Sequence, residues 1–169
     1  MPVSLTPEWA WDAAEQRCYE YLQTVLGTVP DVQGYRAELP RLSNVTDACN
    51  QWAFAITGGS NVHIPEPSAR GGVNVWHNEA MFEGRFTSRM LALQTIGLLR
   101  ESLPAGDTLP DGSTLPALEG VSKLYIAVHP SIQRGVAELE NDLGQGGMVR
   151  VWQVTIPMAV AYTNQEQVT

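Results

Sequence analysis

The sequence predicts an α+β fold, in which a largely antiparallel sheet is packed by two main helices and the elements are joined by long loops. Two segments repeat apolar residues every three or four positions, as a helix with one buried face does. Several other segments alternate large and small residues or are rich in β-branched and aromatic residues, as strands are. The chain has 169 residues, of which 44% are hydrophobic, and this suffices to bury a core without disulfide bonds. We therefore expect a single structural domain over residues 1–169.

The first predicted element is a helix that begins at Thr6-Pro7-Glu8 and ends at Gly27. A capping hydroxyl, a proline at the first helical position and a carboxylate at the positive end of the helix are typical of such a start. Its apolar stripe consists of Trp11, Ala14, Cys18, Leu22 and Val25. Trp9, Tyr19 and Tyr21 lie off this stripe. The helix therefore either has a second buried or partner-facing side or exposes these aromatic rings at the surface.

Two strands and a long loop are predicted next. Val32–Leu39 is a candidate short strand that ends at a proline-containing turn. In Gln51–Thr57 large and small side chains alternate, so one face points to the core and alanines leave the other face flat enough for a helix or a neighbouring subunit. We expect Gly58-Gly59-Ser60 to end this strand. Residues 58–72 then form a long loop, because they contain two prolines and no periodicity.

A third strand and the core helix follow this loop. Val73–Phe86 is enriched in β-branched and aromatic residues, which predicts a strand, with a bulge around His77-Asn78. Thr87 or Ser88 caps a second helix whose wide apolar stripe runs up to Leu103.

The remainder of the chain is predicted to contain a second long loop, two strands and a short helix. Residues 104–120 hold three prolines and three glycines, which is typical of an arm that orders against a partner, although a tolerated surface excursion has the same composition. Val121–Val128 is the next strand, and Ser131–Leu143 has apolar residues at roughly helical spacing, which predicts a short third helix. Met148–Tyr162 is a long strand that contains Pro157. Because proline cannot donate to a ladder, we expect it at an edge, at a bulge or where the strand leaves its sheet.

Composition narrows the possible functions. Charged residues make up only 17% of the chain, and 18 acidic residues against 10 basic ones give a net charge of −8. So few charges indicate that other protein covers much of the surface, and the acidic balance opposes a groove that grips nucleic acid phosphates. Nine of the ten basic residues are arginine, the cation enriched at interfaces, although a biased genome gives the same count.

Location is predicted from what the sequence lacks. Without an apolar run long enough to span a bilayer and without a secretory start, we expect the protein to be made and kept in the cytosol. In this reducing compartment Cys18 and Cys49 pack as small hydrophobic residues.

No arrangement of residues in the sequence predicts catalysis, a cofactor or a metal site. His63, His77 and His129 are not paired at metal-ligand spacing with each other or with cysteines. No phosphate-binding loop and no nucleophile elbow is present. His77 and Glu79 could share one side of a strand. The alternative to a structural protein is therefore a small cytosolic enzyme or ligand-binding domain with a pocket around these two residues.

The layout of the chain resembles the tail terminator, or head–tail joining neck, proteins of long-tailed bacteriophages. The resemblance covers most of the chain and has no diagnostic motif. It is carried by the strand Val75–Phe86 running into the helix Ser88–Leu103, by Tyr125–Pro130 and by Val149–Pro157. The loops at 58–72 and 104–120 are longer than a minimal terminator needs, so another neck-ring protein or a tube component is also possible.

The resemblance implies a non-catalytic virion protein, assembled in the host cytoplasm, whose copies form a six-fold ring. Such a ring joins the tail tube to the head connector, and DNA passes its lumen without specific binding. A ring buries one face of each copy against the opposite face of the next, which agrees with the low charge. The residues expected at such interfaces are Trp9, Tyr21, Trp76, Arg85, Arg89 and Trp152, with the two long loops reaching neighbouring subunits.

Overall fold

A computed structural model describes residues 7–42, 50–64, 73–103, 123–139 and 147–164. These residues form two helices and a six-stranded sheet, in which every strand pair except one is antiparallel. The α+β prediction is therefore confirmed. The predicted loop 104–120 lies outside the described residues.

The elements are, in chain order, helix α1 (Pro7–Leu26), strands β1 (Gln33–Arg36), β2 (Asn50–Ile64) and β3 (Val73–Phe86), helix α2 (Arg89–Ser102), and strands β4 (Lys123–Ile126), β5 (Ser131–Leu139) and β6 (Gly147–Asn164). The strand order across the sheet is β1-β2-β3-β6-β4. Strands β4 and β5 pair with the same side of β6, β5 with residues 147–155 and β4 with residues 158–161. The parallel pair is β1 with β2. Strand β6 is thus central, with β3 on one side and β5 followed by β4 on the other.

One face of the sheet packs against both helices and forms the main core. Its largest fully buried side chains include Trp52, Phe54, Phe82, Phe86 and Ile156. Alternation along β2 places Trp52 and Phe54 on this face and Ala53 on the other, as the sequence predicts. The helices contribute Cys18, Leu22, Ala92, Ile96 and Leu99, among others.

The helix ends follow the capping signals. Ser88 is the N-cap of α2, where its hydroxyl accepts hydrogen bonds from the backbone N–H groups of Met90 (3.1 Å) and Leu91 (3.4 Å). Gly27 follows α1, and its N–H donates to the carbonyl of Gln23 at 2.8 Å. A Cβ at Gly27 would lie 2.8 Å from that same oxygen, so a side chain does not fit there. Within the described ranges, no helix is long and apolar enough to cross a membrane.

The predicted end of β2 at Gly58-Gly59-Ser60 is wrong, because the strand continues to Ile64 and pairs with β3 along its whole length. Residues 58–64 of the predicted loop are therefore strand, and the rest of it up to 72 lies outside the described residues. The register shifts between Ile56 and Gly58, so the irregularity is in β2 and not at His77-Asn78 as predicted. The glycines mark a bulge inside a strand and not its end, because glycine accommodates the local bend at no steric cost.

The predicted third helix over Ser131–Leu143 is also wrong, because residues Ser131–Leu139 are strand β5. The prediction depended on Ile132, Val136 and Leu139. The four-residue step from Ile132 to Val136 fits one face of a strand as well as of a helix, and only the three-residue step to Leu139 favoured the helix. Nine consecutive pairings with β6 decide in favour of the strand.

Pro157 occupies a position that the sequence did not predict, since it is neither at an edge nor at a bulge of β6. Its carbonyl accepts a hydrogen bond of 2.9 Å from the N–H of Ala127, so its nitrogen also points toward the side of β4 and β5. The pairing of β6 with β5 ends at Thr155, and its pairing with β4 begins at Met158. The missing N–H therefore falls in the junction between these two strands, where its absence removes one hydrogen bond at the end of β4 and does not interrupt a continuous ladder.

Candidate functional site

Two of the residues predicted at interfaces are engaged inside the protomer. The Tyr21 hydroxyl donates to the carbonyl of Ser102 at 3.3 Å and so ties α1 to the end of α2. Burial raises the pKa of Tyr21 above its ordinary value of 10.0. The half-buried Arg85 guanidinium donates to Gln51 Oε1, at 2.7 Å from Nη2, and to the carbonyl of Pro40. Both side chains thus already have polar partners within the chain.

Of the other predicted interface residues, the structure describes the side chains of Arg89 and Trp152 but not those of Trp9 and Trp76. Arg89 is exposed at the first position of α2. Trp152 is half-buried against the main core, and the guanidinium of Arg134 lies over its ring at 5.8 Å from the ring centre. Trp9 and Trp76 belong to α1 and β3, but their side chains lie outside the described part of the structure. The interface role of these residues stays a prediction.

The alternative pocket around His77 and Glu79 stays a prediction, because the structure does not describe the side chain of His77. Backbone register places His77 opposite Ser60 on β2 and Ala161 on β6. Both residues are on the sheet face that the helices leave uncovered, and Glu79 is exposed there. Glu79 lines neither of the two clefts described below.

Strands β5 and β6 extend beyond the rest of the sheet as a two-stranded ribbon, a feature that the sequence-based prediction of a helix at 131–143 missed. The pairing of β3 with β6 ends at Phe86 and Trp152, so residues 147–151 pair with β5 alone. One face of this ribbon is covered, because Leu42 packs there against Ala137, Val149 and Val151.

The other face of the ribbon, on the helix side of the sheet, is open. Met148 is 73% exposed and Val136 is 51% exposed. Arg150 lies directly opposite Val136, and no hydrogen bond or ion pair engages it among the described residues. We call Val136, Met148 and Arg150 the ribbon patch. Glu138, opposite Met148, and Arg134 lie on the same face.

A groove lies beside α2 on the helical layer. It has a volume of about 380 Å³ and is lined by Val29 and Pro30 from the turn after α1 and by Gln94, Gly97, Leu98 and Glu101 from α2. A Cβ placed on Gly97 would meet no atom within 4 Å. Packing among the residues that the structure describes therefore does not require glycine at this position. We call this feature the Gly97 groove.

A second cleft, of about 360 Å³, lies between the end of α1 and β1, above Trp52. Its polar groups bond to one another: the Tyr19 hydroxyl donates to the carbonyl of Gly34 at 3.0 Å and accepts from Gln23 Nε2 at 2.7 Å. The rim is similar, since the Tyr35 hydroxyl donates to Gln33 Oε1 at 2.8 Å. These polar groups are therefore already hydrogen-bonded to one another. None of the described residues that line the cleft carries a charge that could bind a ligand.

A network around Glu15 joins α1 to the bulge of β2. One carboxylate oxygen accepts from Arg36 Nε at 2.8 Å, and the other accepts from the backbone N–H of Ile56 at 2.9 Å. Arg36 also forms an ion pair with Asp12. On the opposite side of the bulge, Asn78 Nδ2 donates to the carbonyl of Gly58 at 2.9 Å. Like the Phe54 carbonyl, the Ile56 N–H points to the edge of β2 that faces β1, and β1 ends before it reaches Ile56. Glu15 therefore satisfies a backbone group that the described strands leave unpaired, so the network is structural.

Cys18 lies in the core, where burial, assisted by the nearby charge of Glu15, raises its pKa from 9.0 to about 12. A thiol with so high a pKa holds its proton near neutral pH and is a poor nucleophile. The described residues contain no group of three or more His, Cys, Asp or Glu side chains arranged to hold a metal ion.

No protein-family model matches the chain, and no curated protein matches it significantly.

Proposed function

We propose that the chain is a non-catalytic structural subunit of a long-tailed phage, of the tail terminator or neck type, whose copies assemble into a ring. The observation that carries this proposal is the open face of the β5–β6 ribbon, where Met148 and Val136 are exposed as diagonal neighbours on strands that extend beyond the sheet. A protruding apolar surface of this kind is stabilised when another protein covers it.

The low charge of the chain supports the same proposal. Only 17% of the residues are charged, whereas about a quarter is usual for soluble domains. In a ring each copy covers parts of two neighbours, so a larger share of its surface is removed from water than in a monomer. Burying a surface with few charges costs less desolvation free energy than burying a highly charged surface.

The virion setting and the head–tail position follow from the resemblance in layout to terminator and neck proteins. In that setting the ring is six-fold, joins the tail tube to the head connector and forms in the host cytoplasm before it enters the particle. The net charge of −8 suits a ring whose lumen carries DNA, because an acidic wall repels phosphates and does not retain the passing strand.

The virion role is tested by inactivating the gene in the phage genome that encodes the chain and imaging the lysate by electron microscopy. We expect filled heads and complete tails that are not joined, and restoration of whole particles when the protein is supplied from a plasmid. Intact infectious particles in the absence of the protein would contradict a terminator or neck role.

A further inference from the structure

The ribbon patch and the Gly97 groove complement each other, and we propose that they form the contact between successive copies of this chain, with Met148 of one copy seated over Gly97 of the next and Arg150 facing Glu101. This inference depends on the proposed function, because it specifies the interface that closes the ring.

The groove has the shape of a receptor for an apolar side chain. Glycine in the middle of a helix is less favourable than alanine, so its presence usually has a packing reason. No atom of the residues that the structure describes lies within 4 Å of a Cβ placed on Gly97, so they do not supply that reason. Close approach by a side chain of another copy supplies one. Methionine suits such a site because its unbranched, flexible side chain fills irregular gaps.

The distance between Met148 and Arg150 on the ribbon also matches the distance between Gly97 and Glu101 in the groove. Met148 and Arg150 point to the same face of β6 and are about 6.7 Å apart along the strand. Gly97 and Glu101 are about 6 Å apart along one side of α2. A ribbon laid along the groove with Met148 over Gly97 therefore brings the guanidinium of Arg150 within reach of the Glu101 carboxylate.

Charge favours contact of the ribbon face with the groove of another copy and disfavours contact between two ribbon faces. Arg134 and Arg150 against Glu138 leave the open ribbon face with a net positive charge, whereas the chain as a whole carries −8. Two ribbon faces brought together would place arginines against each other. The groove offers the opposite sign, because Glu101 lines it and the exposed Asp31 follows its lining residue Pro30.

In a ring the ribbon patch of one copy binds one neighbour and its groove binds another, so the contact is heterologous. Such a contact produces a closed ring or an open filament, whereas two reciprocal ribbon–groove contacts between the same two copies would produce a dimer. The ring of the proposed function is the closed form of this contact.

A charge exchange between two variants tests the contact. Arg150→Glu places a carboxylate opposite Glu101, and Glu101→Arg places a cation opposite Arg150. We expect either variant alone to self-associate at least about tenfold more weakly than the native chain in sedimentation velocity. In an equimolar mixture every ribbon can meet a groove of opposite charge, so we expect association to return to the native level.

Matched controls separate this contact from a general effect of charge or of apolar surface. Arg17→Glu makes the same change in net charge on α1, where Arg17 pairs with Glu20, and should associate like the native chain. Met148→Asp should dissociate the assembly, whereas Met90→Asp, at another exposed methionine (64%), should not. All these sites are exposed, and thermal unfolding checks that each variant folds.

The possible results distinguish the inference from the proposed function. If the native chain assembles and the Arg150 and Glu101 variants assemble equally well, the contact is overturned while a ring remains tenable. If both variants dissociate and their mixture stays dissociated, the pairing of these two surfaces is overturned. A native chain that is monomeric at every concentration overturns both the contact and the ring.

Discussion

Glu15 connects parts of the chain that lie far apart in sequence, since its carboxylate bonds both Arg36 and the backbone N–H of Ile56, 41 residues away. Nothing in the sequence around Glu15 indicates this reach, because the Ile56 N–H is left without a strand partner only by the way β1 pairs with β2 and ends at Arg36. By contrast, the inward direction of Trp52 and Phe54 is predicted from alternation alone. Contacts that follow from the alternation of side chains along one strand can be predicted at the residue scale. Contacts that depend on how strands distant in sequence pair with each other cannot.

We predict that Glu15→Ala destabilises the protein by about 2 kcal/mol, because it leaves the Ile56 N–H without its acceptor and removes one of the two carboxylates that pair with Arg36. Glu15→Gln keeps one acceptor and should cost roughly half as much. Urea unfolding measures both. Glu20→Ala serves as the control, because Glu20 is half exposed and its ion pair is with Arg17 at the surface, so a loss below about 0.5 kcal/mol is expected. Equal losses for Glu15→Ala and Glu20→Ala would show that the network contributes nothing.

Cys18 makes the stability of the fold dependent on alkaline pH. In the folded chain its pKa is about 12 and in the unfolded chain about 9.0, so above pH 9 the unfolded state loses a proton that the folded state keeps. The free energy of unfolding is therefore unaffected by this thiol below pH 9 and falls above it, by about 1 kcal/mol per pH unit.

The measurement is urea unfolding of the native chain and of Cys18→Ala between about pH 9 and pH 10, where the contribution of the tyrosines is common to both proteins and cancels in the comparison. We expect the native chain to lose more stability across this interval than the variant does. Cys49 is present in both proteins, so the difference between the slopes reports Cys18 alone. Parallel slopes would mean that Cys18 titrates alike in the folded and unfolded states.

At the scale of elements, both helices, the core strands and the Ser88 cap follow from local signals that tertiary structure does not contradict. The errors arise where a local signal has two meanings. Glycines end a strand or form a bulge within it, as at Gly58, and an i, i+4 pair fits a helix or a strand, as in β5. In both cases a partner strand distant in sequence decides, so neither outcome could be derived from the segment itself. The ribbon patch went unrecognised for the same reason.

Two glycines that the sequence does not distinguish should respond oppositely to alanine. At Gly34 a Cβ would lie 2.2 Å from the Trp52 ring, and Trp52 cannot yield because it is buried and stacked on Phe82 at 5.5 Å. We predict that Gly34→Ala destabilises the fold by at least about 1–3 kcal/mol. Gly97→Ala should stabilise the protomer by about 0.5–1 kcal/mol, through helix propensity, and yet weaken self-association.

Thermal unfolding at low concentration and sedimentation velocity at high concentration separate these two effects. A Gly97→Ala chain that is more stable and associates as well as the native chain would show that the groove needs no glycine for docking. A Gly34→Ala chain of native stability would show that Trp52 can repack.

At the scale of the whole molecule, the α+β class was predictable because it depends on the number and kind of elements and not on their register. The surfaces available for assembly were not, since they depend on which strands extend past their neighbours. The β5–β6 ribbon has one face covered by Leu42 and another that exposes Met148 and Val136, and in the proposed function a neighbouring copy covers this open face.

The most direct test of this account is the mass of the full-length native protein, measured by native mass spectrometry over a range of concentrations. A subunit of a closed ring should give, as concentration rises, one dominant species at a single multiple of the 18.5 kDa chain mass, with no continuous ladder of larger species. A chain found only at 18.5 kDa at every concentration would contradict the claim that its exposed ribbon serves to join copies of itself.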